Sequence, residues 1–424
     1  MAREYKDSGI EWIGQIPKEW KMTRGKFLFS VLNGYAFDSS LFTNDTNVMP
    51  LIRIRDINSY ETEAYYMGEY PSDYIVHKDE VLVGMDGDFN VAKWKGNDAL
   101  LNQRVCKLKD FSETYISQYA YYILPMLLKN KNDVTYATTV KHLSSNDILN
   151  FDFIVPSLSE QRKIANYLDK VCSEVDEMVA LQETMIEELK AYKQSVITEA
   201  VTKGLNPNAP MRNSGIDWIG EIPEHWEVQP FKWILRKPLQ YGANESGVLY
   251  DDSLPRYVRI TDILNNSLRE DLQKQSLTDE QAEGYILEDD DILFARSGGT
   301  VGKAFIYKKE YGRCAFAGYL IRAQIKAHCC PNYVYYYTQS QSYDEWKRQI
   351  FIQATIQNIG ADRYSLMELP VPPLSEQRTI ASYLDTKCSE IDALIAIKQS
   401  KIEELKEYKK SVIYEYVTGK KEVV

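Results

Sequence analysis

The chain has 424 residues, of which 44% are hydrophobic and 26% charged, and its formal net charge is −11. This length allows two to four domains, and the composition excludes a fibrous or wholly disordered chain. No apolar run reaches the ~18 residues that a membrane-spanning helix needs, and the N-terminus has no hydrophobic signal core, so we expect a cytoplasmic location.

Charge and cysteine content narrow the function classes only partly. An acidic chain is not a typical nucleic-acid binder, but phosphate attraction depends on where the basic groups lie rather than on the net charge. The six cysteines form no C-x-x-C pair and no zinc-like spacing with the four histidines, so we expect no structural zinc site, and they agree with the expected cytoplasmic location. The 31 tyrosines suit a recognition surface, although we expect more than half of them in cores.

Two motifs occur twice along the chain. The segment Gly9–Trp20 returns as Gly215–Trp226, with eight of twelve positions identical. The segment Leu158–Asp169 returns as Leu374–Asp385, with ten of twelve identical. A repeat of about half the chain is too long for a solenoid and indicates two copies of a whole domain with a shared element.

The first block, residues 1–157, has the pattern of a mixed α/β domain. Apolar runs at Met49–Ile57 and Glu80–Gly84 predict strands, and they are separated by turn-forming Gly, Asn and Asp residues. A helix is predicted around Ser117–Lys129. A proline, a serine cap and the Glu160-Gln161 pair then mark the start of another helix.

Residues 158–203 predict one long helix. Mostly apolar residues recur in alternating steps of four and three, as in a heptad seam: Ile164, Leu168, Val171, Val175, Met178, Gln182, Met185, Leu189, Tyr192 and Val196. A helix of this length spans roughly 65 Å and needs a partner helix to bury its stripe. Residues 204–213, rich in Gly, Asn and Pro, end the helix and form a linker.

The second block, residues 214–373, is followed by a second long helix, residues 374–419, that supplies this partner. Its apolar stripe comprises Ile380, Leu384, Cys388, Ile391, Ile395, Ile402, Leu405 and Val412. We expect the two helices to pack antiparallel, because a return linker relates the halves by an approximate two-fold axis. The predicted fold class is α+β, with two mixed α/β domains in a pseudo-two-fold arrangement separated by an antiparallel coiled-coil pair.

No catalytic motif is evident in the sequence. Ser297–Ala304 resembles a P-loop only superficially, because serine stands at the first glycine position and alanine at the position of the magnesium-binding hydroxyl. We therefore assign no catalytic, cofactor-binding or metal-binding residue to this chain.

Two glycine-bearing loops are candidate nucleic-acid contacts. Each follows an apolar strand and ends in a lysine, and a glycine lets the backbone approach a phosphate or a base edge closely. The candidates are Asp86, Asn90 and Lys93 in the first block, and Arg296, Ser297, Gly298, Thr300 and Lys303 in the second. Side chains at Asp86, Asn90, Ser297 and Thr300 could read bases, and the two lysines could contact phosphate. Ordinary hairpin turns remain the alternative.

A second matched pair consists of Arg53–Ile57 and Arg259–Ile263. Strand alternation places Arg53 and Arg55 on one face and Asp56 on the other. Arginine can bind guanine bidentately or grip a phosphate, so these arginines and Thr261 are candidate DNA contacts. An arginine–aspartate pair that fixes the end of the strand is an equally good interpretation.

Further polar clusters carry donors suited to base edges. They are Asn102 with Arg104, then Thr138, Thr139 and Lys141 in the first block, and Thr355, Gln357 and Asn358 in the second. The tryptophans of the first repeated motif, Trp12, Trp20, Trp218 and Trp226, lie in the part that both halves share. We interpret them as packing residues, because a reader of two different sequences would vary its contacts and keep its scaffold.

The order of these motifs resembles the specificity (S) subunit of type I restriction–modification enzymes. The motif from Ser8 to Trp20, a variable block, and Pro156-x-Leu-Ser-Glu-Gln-x-x-Ile-Ala opening a long helix all recur from Ser214 and from Pro373. The resemblance covers essentially the whole chain. It implies two target recognition domains, each recognising one half of an asymmetric bipartite site on double-stranded DNA.

The resemblance also implies partners. Two methyltransferase (M) subunits dock on the helices, which set the spacer between the half-sites, and restriction–translocase (R) subunits join for cleavage. S-adenosylmethionine, ATP and magnesium are then used by those partners, and this chain is not itself an enzyme. Two rival interpretations are a self-contained restriction or methylation enzyme and a protein scaffold that binds no DNA.

Overall fold

A computed structural model of the protein describes residues 3–59, 61–134, 142–264, 267–352 and 357–423. The chain divides into two compact units, residues 1–182 with 400–424 (unit 1) and residues 183–399 (unit 2). This division differs from the five consecutive segments expected from the sequence. It cuts both long helices, so each unit contains one end of each helix.

Unit 1 combines thirteen short strands with four α-helical segments among its described residues. The strands are β1 (Tyr5–Asp7), β2 (Gln15–Pro17), β3 (Lys21–Arg24), β4 (Ser30–Asn33), β5 (Phe42–Thr43), β6 (Met49–Ile52), β7 (Tyr65–Tyr66), β8 (Ile75–Val76), β9 (Val81–Gly84), β10 (Val91–Lys93), β11 (Ala99–Leu101), β12 (Val105–Lys109) and β13 (Asp152–Val155). The α-helical segments are α1 (Ser117–Val134), α2 (Ser145–Asn150), the first part of α3 (Leu158–Lys203) and the last part of α8 (Leu374–Val417).

Unit 2 continues the chain from within α3. Its strands are β14 (Met211–Asn213), β15 (Glu221–Pro223), β16 (Glu227–Pro230), β17 (Gln240–Tyr241), β18 (Val248–Leu249), β19 (Arg256–Val258), β20 (Ile263–Leu264), β21 (Ser267–Leu268), β22 (Gln275–Ser276), β23 (Ile292–Ala295), β24 (Ala304–Ile306), β25 (Cys314–Phe316), β26 (Leu320–Ala323) and β27 (Glu368–Val371). Its α-helical segments are the last part of α3, α4 (Phe231–Ile234), α5 (Pro331–Tyr337), α6 (Gln341–Ile352), α7 (Ala361–Ser365) and the first part of α8 (Leu374–Val417).

The two units share one sheet topology although their sequences diverge. Unit 1 has an antiparallel sheet in the order β10-β9-β12-β4, and unit 2 has its counterpart in the order β24-β23-β26-β17. A second sheet in each unit contains one parallel pair, β6 with β11 and β19 with β25. The predicted fold class, with two mixed blocks and two long helices, is confirmed.

The four tryptophans of the first repeated motif pack inside their own units. Trp20 and Trp226 are each only 1% exposed, and Trp20 Nε1 donates a hydrogen bond to Glu160 at the start of α3 (3.1 Å). Trp12 and Trp218 pack, half-buried, against the same cores. The interpretation of these residues as packing residues is confirmed.

The glutamine of the second repeated motif forms hydrogen bonds that join each long helix to the block before it. Gln161 is fully buried. Its Nε2 donates to the main-chain oxygens of Pro156 and Thr114, both at 2.9 Å, and its Oε1 accepts from the amide of Ile116 (3.0 Å). Gln377 makes two corresponding bonds in unit 2, to the main-chain oxygen of Pro372 and from the amide of Cys330. Because a buried amide must satisfy its polar atoms, these bonds explain why glutamine occurs in both copies.

The long helices pack antiparallel within unit 1. The rings of Tyr167 and Tyr416 are 4.5 Å apart, and Lys409 Nζ lies 2.7 Å from Asp176. Residues later in α3 therefore contact residues earlier in α8, as antiparallel helices do.

Unit 2 repeats this arrangement with the roles of the two helices exchanged. Lys193 on α3 lies 2.7 Å from Asp392 on α8, and each of these residues is 216 positions from its counterpart in the unit 1 pair. The end of α3 at Gly204 lies beside Glu376, near the start of α8. The expected antiparallel pairing is confirmed in each unit taken by itself.

The heptad seam predicted along α3 holds only for its first part. Ile164, Leu168 and Val175 are buried, whereas Met178 and Tyr192 are 52% and 58% exposed. The next two buried residues after Val175 are Ile186 and Ile197, each eleven positions further on, and Ala200, Val201 and Thr202 are buried near the end of the helix. An eleven-residue spacing corresponds to about 3.67 residues per turn, close to the 3.6 residues per turn of a straight α-helix. In a straight helix, a stripe with a strict seven-residue repeat drifts around the axis by about 20° per heptad.

Candidate nucleic-acid interface

Three segments of unit 1 meet beside the loop between β9 and β10. The amide of Met85 donates to the main-chain oxygen of Arg104 (2.9 Å), and the amide of Leu143 donates to the oxygen of Met85 (2.7 Å). Asp86 and His142 form an isolated β-bridge. The structure thus brings together the glycine-bearing loop, the turn after β11 and the segment before α2, which lie far apart in the sequence.

Unit 2 has the same three backbone connections. The amide of Arg296 donates to the oxygen of Tyr319 (3.0 Å), and the amide of Ile359 donates to the oxygen of Arg296 (2.9 Å). Ser297 and Asn358 form the matching isolated bridge. Superimposing this bonding pattern on that of unit 1 makes Ser297, Tyr319 and Asn358 the counterparts of Asp86, Arg104 and His142. We call each set of three residues the loop cluster of its unit.

The loop cluster of unit 1 is charged. Asp86 accepts from Arg104 Nη1 (2.9 Å), and its other oxygen lies 2.8 Å from His142 Nδ1. The hydrogen bond from His142, and then that from Arg104, lowers the pKa of Asp86. Asp86 is 18% exposed, while Arg104 and His142 are 66% and 60% exposed. A largely buried carboxylate therefore holds two exposed nitrogen-bearing side chains in place.

The loop cluster of unit 2 has different chemistry on the same backbone. Its counterparts of Asp86 and His142 are neutral, and Tyr319 is 62% exposed. Beside the cluster, the Arg296 guanidinium lies 4.9 Å from the ring centroid of Tyr241, which is 41% exposed. Hydroxyl, phenol and amide side chains thus occupy the positions that a carboxylate, a guanidinium and an imidazole hold in unit 1.

A glycine in each unit allows the chain to pass over the turn that carries Arg104 in unit 1 and Tyr319 in unit 2. A Cβ atom on Gly34 would lie 1.9 Å from the main-chain oxygen of Asn102, and one on Gly242 would lie 2.3 Å from that of Ala317. These distances are too short for any side chain. Neither glycine was singled out in the sequence, although both follow a strand-like run in their block.

The lysines that end the two predicted loops are not equivalent. In β9 and β10 the register pairs Val81 with Lys93, and in β23 and β24 it pairs Ile292 with Ile306. Lys93 therefore corresponds to Ile306, and the assumed match to Lys303 is wrong. The loop before β24 is two residues longer than the loop before β10, which shifts the apparent alignment.

Lys93 is also engaged within unit 1. Its Nζ lies 3.2 Å from Asp169 on α3 and 5.4 Å from the ring centroid of Tyr121, and its side chain is 15% exposed. Lys303, in contrast, is exposed. The geometry disfavours the phosphate contact predicted for Lys93, and that for Lys303 stays a prediction.

The expected opposite faces for Arg53 and Asp56 are wrong. The strand β6 ends at Ile52, and a 3-10 helix, Ile54–Asp56, follows at once. Arg53 Nε donates to Asp56 Oδ2 (2.9 Å) and Nη2 to Oδ1 (3.3 Å). The helical turn brings residues three apart onto one side, so the arginine and the aspartate pair rather than diverge.

Unit 2 contains the same arginine–aspartate pair. Arg259 donates to Asp262 through Nε (3.0 Å) and Nη2 (2.9 Å), and the hydrogen bond to Asp262 raises the pKa of Arg259. Asp262 and Asp56 are both buried. The structure thus has the arginine–aspartate pair that the sequence analysis gave as the alternative to base contact.

The other predicted contact residues fall into three groups. Exposed are Arg55, Thr261, Asn90, Gly298, Gln357 and Asn358, and Thr300 is half-buried. Asn102 is buried, and its Oδ1 accepts from the amide of Gln103, so it shapes the turn. Thr138, Thr139, Lys141 and Thr355 lie outside the described residues.

Large apolar side chains are exposed on the long helices at positions related by the repeat. In unit 1 they are Met178 (52%), Leu181 (53%) and Tyr408 (53%), and in unit 2 Leu394 (47%), Ile397 (62%) and Tyr192 (58%). We call these sets the helix patches. Each member lies 216 residues from its counterpart, so both units present the same chemistry.

The part of the chain that the structure describes holds no group of three or more His, Cys, Asp or Glu side chains placed to bind a metal ion. None of its helices is long and apolar enough to cross a membrane.

Comparison with known proteins gives a consistent result. The sequence profile of the type I restriction modification DNA specificity domain matches twice, at residues 17–191 and 243–407. The chain is 29% identical over 411 residues to the type I restriction enzyme EcoBI specificity subunit of Escherichia coli, covering 93% of this chain and 84% of that protein. It is 24% identical to the MjaVIII specificity subunit of Methanocaldococcus jannaschii, covering 82% and 80%.

Solved structures show the same fold. A chain from a study of complex assembly and conformational transition of the type I R-M system aligns with a TM-score of 0.69 at 16% identity, covering 95% of this chain and 99% of that one. The HsdS subunit from Thermoanaerobacter tengcongensis aligns with a TM-score of 0.50, also at 16% identity, over 97% and 99%.

Proposed function

The chain belongs to the family defined by the type I restriction modification DNA specificity domain, and on that premise we propose that it is the DNA sequence-specificity subunit of a type I restriction–modification complex. Unit 1 recognises one half of a bipartite DNA site and unit 2 the other. The chain itself supplies recognition and assembly, and the chemistry on DNA belongs to its partners.

The loop clusters are the observation that best supports this proposal. Both units hold three segments together with the same backbone hydrogen bonds and the same isolated bridge. The side chains presented there differ, with Asp86, Arg104 and His142 in one unit and serine, tyrosine and asparagine in the other. Backbone and phosphate contacts position a protein on DNA, while base-edge contacts give sequence specificity. A constant scaffold with variable exposed side chains is what two readers of different sequences require.

The helix patches support the partner assignment. An exposed apolar surface rimmed by charged residues is typical of a protein-interaction site, and the two patches are related by the repeat. We propose that each receives one methyltransferase subunit, giving two per chain, and that restriction–translocase subunits join that assembly. S-adenosylmethionine, ATP and magnesium would act on those partners, and the complex would work in the cytoplasm, where it meets DNA.

A block exchange tests the division of labour between the units. Residues 22–155 are replaced by the corresponding block of a related specificity subunit, and the complex with its methyltransferase partner modifies a plasmid library. Long-read sequencing of methylated adenines gives the recognised site. We expect one half of the site to change and the other half to stay. A change in both halves would contradict independent recognition by each unit.

A gel-shift assay separates this function from the rival scaffold. The assembled complex is incubated with duplexes that carry the mapped site or a scrambled version at equal length and salt. Selective retardation of the mapped duplex is expected. Equal retardation of both duplexes, or none, would favour a scaffold that does not recognise sequence.

A further inference from the structure

We propose that Arg104 contacts a guanine in the half-site recognised by unit 1, and that Asp86 is the positioning residue that aims it. This inference rests on the proposed function and adds the residue and the base class. Two features of the unit 1 loop cluster carry it, the placement of the guanidinium and the way it is held.

The first feature is the free edge of the guanidinium. Arg104 is 66% exposed and stands in a turn with a φ of 70°, a left-handed conformation that non-glycine residues seldom adopt. Its Nη1 is bonded to Asp86, while its Nε and Nη2 atoms make no hydrogen bond to any residue that the structure describes. That pair of atoms forms one of the two edges through which a guanidinium can donate two parallel hydrogen bonds to guanine O6 and N7.

The second feature is the anchoring of the carboxylate. Asp86 is fixed by its bridge to His142 and by the amide of the preceding residue, which bonds the oxygen of Arg104 itself. One carboxylate oxygen faces Arg104 and the other faces His142. This arrangement limits the rotation of a long side chain, so less conformational entropy is lost when the base binds. The two nitrogen-bearing partners also offset the repulsion between Asp86 and DNA phosphates.

Unit 2 provides an internal contrast. Tyr319 occupies the backbone position of Arg104, bonded in the same way to the start of its loop. Tyrosine cannot form the guanidinium fork, and the carboxylate is replaced by Ser297. The guanidinium of Arg104 and the carboxylate of Asp86 that holds it therefore occur together in unit 1, and both are absent from the unit 2 cluster, as expected of two residues that function as a pair.

The test uses the assembled complex with its methyltransferase partner. Arg104→Ala, Arg104→Lys and Asp86→Asn are compared with wild type by methylation mapping and by titration with duplexes that carry each of the four base pairs at every position of the site. We expect one G·C position in the half-site of unit 1 to lose discrimination by about 5- to 150-fold in Arg104→Ala. Arg104→Lys should lose most of that discrimination, because an ammonium cannot donate the fork. Asp86→Asn should lose a smaller part.

The control is Arg24→Ala, since Arg24 is also exposed and lies 3.8 Å from a carboxylate, that of Asp152. It should leave the recognised site unchanged. A uniform loss of affinity over all sequences in Arg104→Ala, with Arg104→Lys like wild type, would identify a phosphate contact and overturn the proposal. An unchanged site in all three variants would also overturn it. In both cases selective methylation would persist, so the proposed function would stand.

Discussion

The hydroxyl of Tyr119 donates a hydrogen bond to the main-chain oxygen of Val417, 298 residues away in the sequence (2.9 Å). Tyr333 makes the equivalent bond to Val201 in unit 2 (3.1 Å). Both tyrosines are fully buried, and burial raises their pKa values well above the ordinary value. Each block therefore packs, through a neutral phenol, on the C-terminal end of a long helix.

Removing the Tyr119 hydroxyl should destabilise unit 1. In Tyr119→Phe the oxygen of Val417 loses this buried partner, which costs about 1–3 kcal/mol. Urea unfolding of the purified chain, followed by tryptophan fluorescence, measures this loss as a lower midpoint. Tyr408→Phe is the matched control, because Tyr408 is 53% exposed and its hydroxyl can bond to water. Equal midpoints for the two variants would contradict the role given to the bond.

Arg53→Ala should affect stability rather than sequence recognition. The substitution removes two hydrogen bonds to the buried Asp56. A hydrogen bond to a charged group contributes about 1.5–3 kcal/mol to the free energy of unfolding. We expect a lower unfolding midpoint with the same methylated site. Arg55→Ala, which removes a side chain 69% exposed, should keep the midpoint. Relaxed recognition of one base pair in Arg53→Ala would restore the base contact predicted from the sequence.

The two loop lysines should differ in their effect on DNA binding. Lys303→Ala should weaken binding about uniformly across sequences and reduce the salt slope by roughly one, as loss of a phosphate contact does. Lys93→Ala should leave the slope unchanged, because its ammonium is paired with Asp169. Titration of the assembled complex with one duplex at several salt concentrations measures both. A similar decrease in slope for Lys93→Ala would show that the ion pair opens on DNA.

Charge placed in one helix patch should remove one partner. Leu181→Glu in unit 1 and Ile397→Glu in unit 2 each put a carboxylate at a position that is more than half exposed and apolar. Native mass spectrometry with excess methyltransferase subunit should give two copies on wild type, one on each single variant and none on the double variant. Glu183→Gln, on an exposed position of the same helix, is the control. Two copies on the double variant would place the docking surface elsewhere.

The long helices should set the spacing between the half-sites. Inserting four residues near Ala191 lengthens α3 by about 6 Å and changes the phase of its buried stripe. We expect an altered spacer or no methylation, with the bases of each half-site unchanged. Methylation of the original site at the original spacing would exclude the helices as the element that sets it.

The sequence predicted the parts of this molecule that depend on periodicity and repetition. The helix from Leu158 to Lys203 followed from its apolar stripe, and the antiparallel pairing followed from the repeat. The sequence did not predict which residues of α3 are buried beyond Val175. Over a short segment, a seven-residue and an eleven-residue repeat place almost the same residues on one face of a helix.

The interface was predicted only as separate pieces. The sequence marks the loop at Asp86, the turn at Arg104 and the segment near His142 as three separate candidates, but no sequence pattern links residues so far apart in the chain. Matching the two loops by their lysines also failed, because loops of unequal length have no periodicity to fix their register. Gly34 and Gly242 were the missing signal, since a glycine at corresponding points of two diverged blocks marks a close backbone approach.

The end of α8 lies against the beginning of the chain. Lys420 Nζ donates to the main-chain oxygen of Ile13 (2.9 Å), and Tyr414 donates to that of Trp12 (3.1 Å). The end of α3 meets the second copy of the same motif, at Trp226. The first motif thus follows a helix end in space wherever it occurs, whether or not a linker joins them. A cut in the linker at residues 204–213 should therefore be tolerated, because the contact between a helix end and this motif forms in unit 1 without any linker.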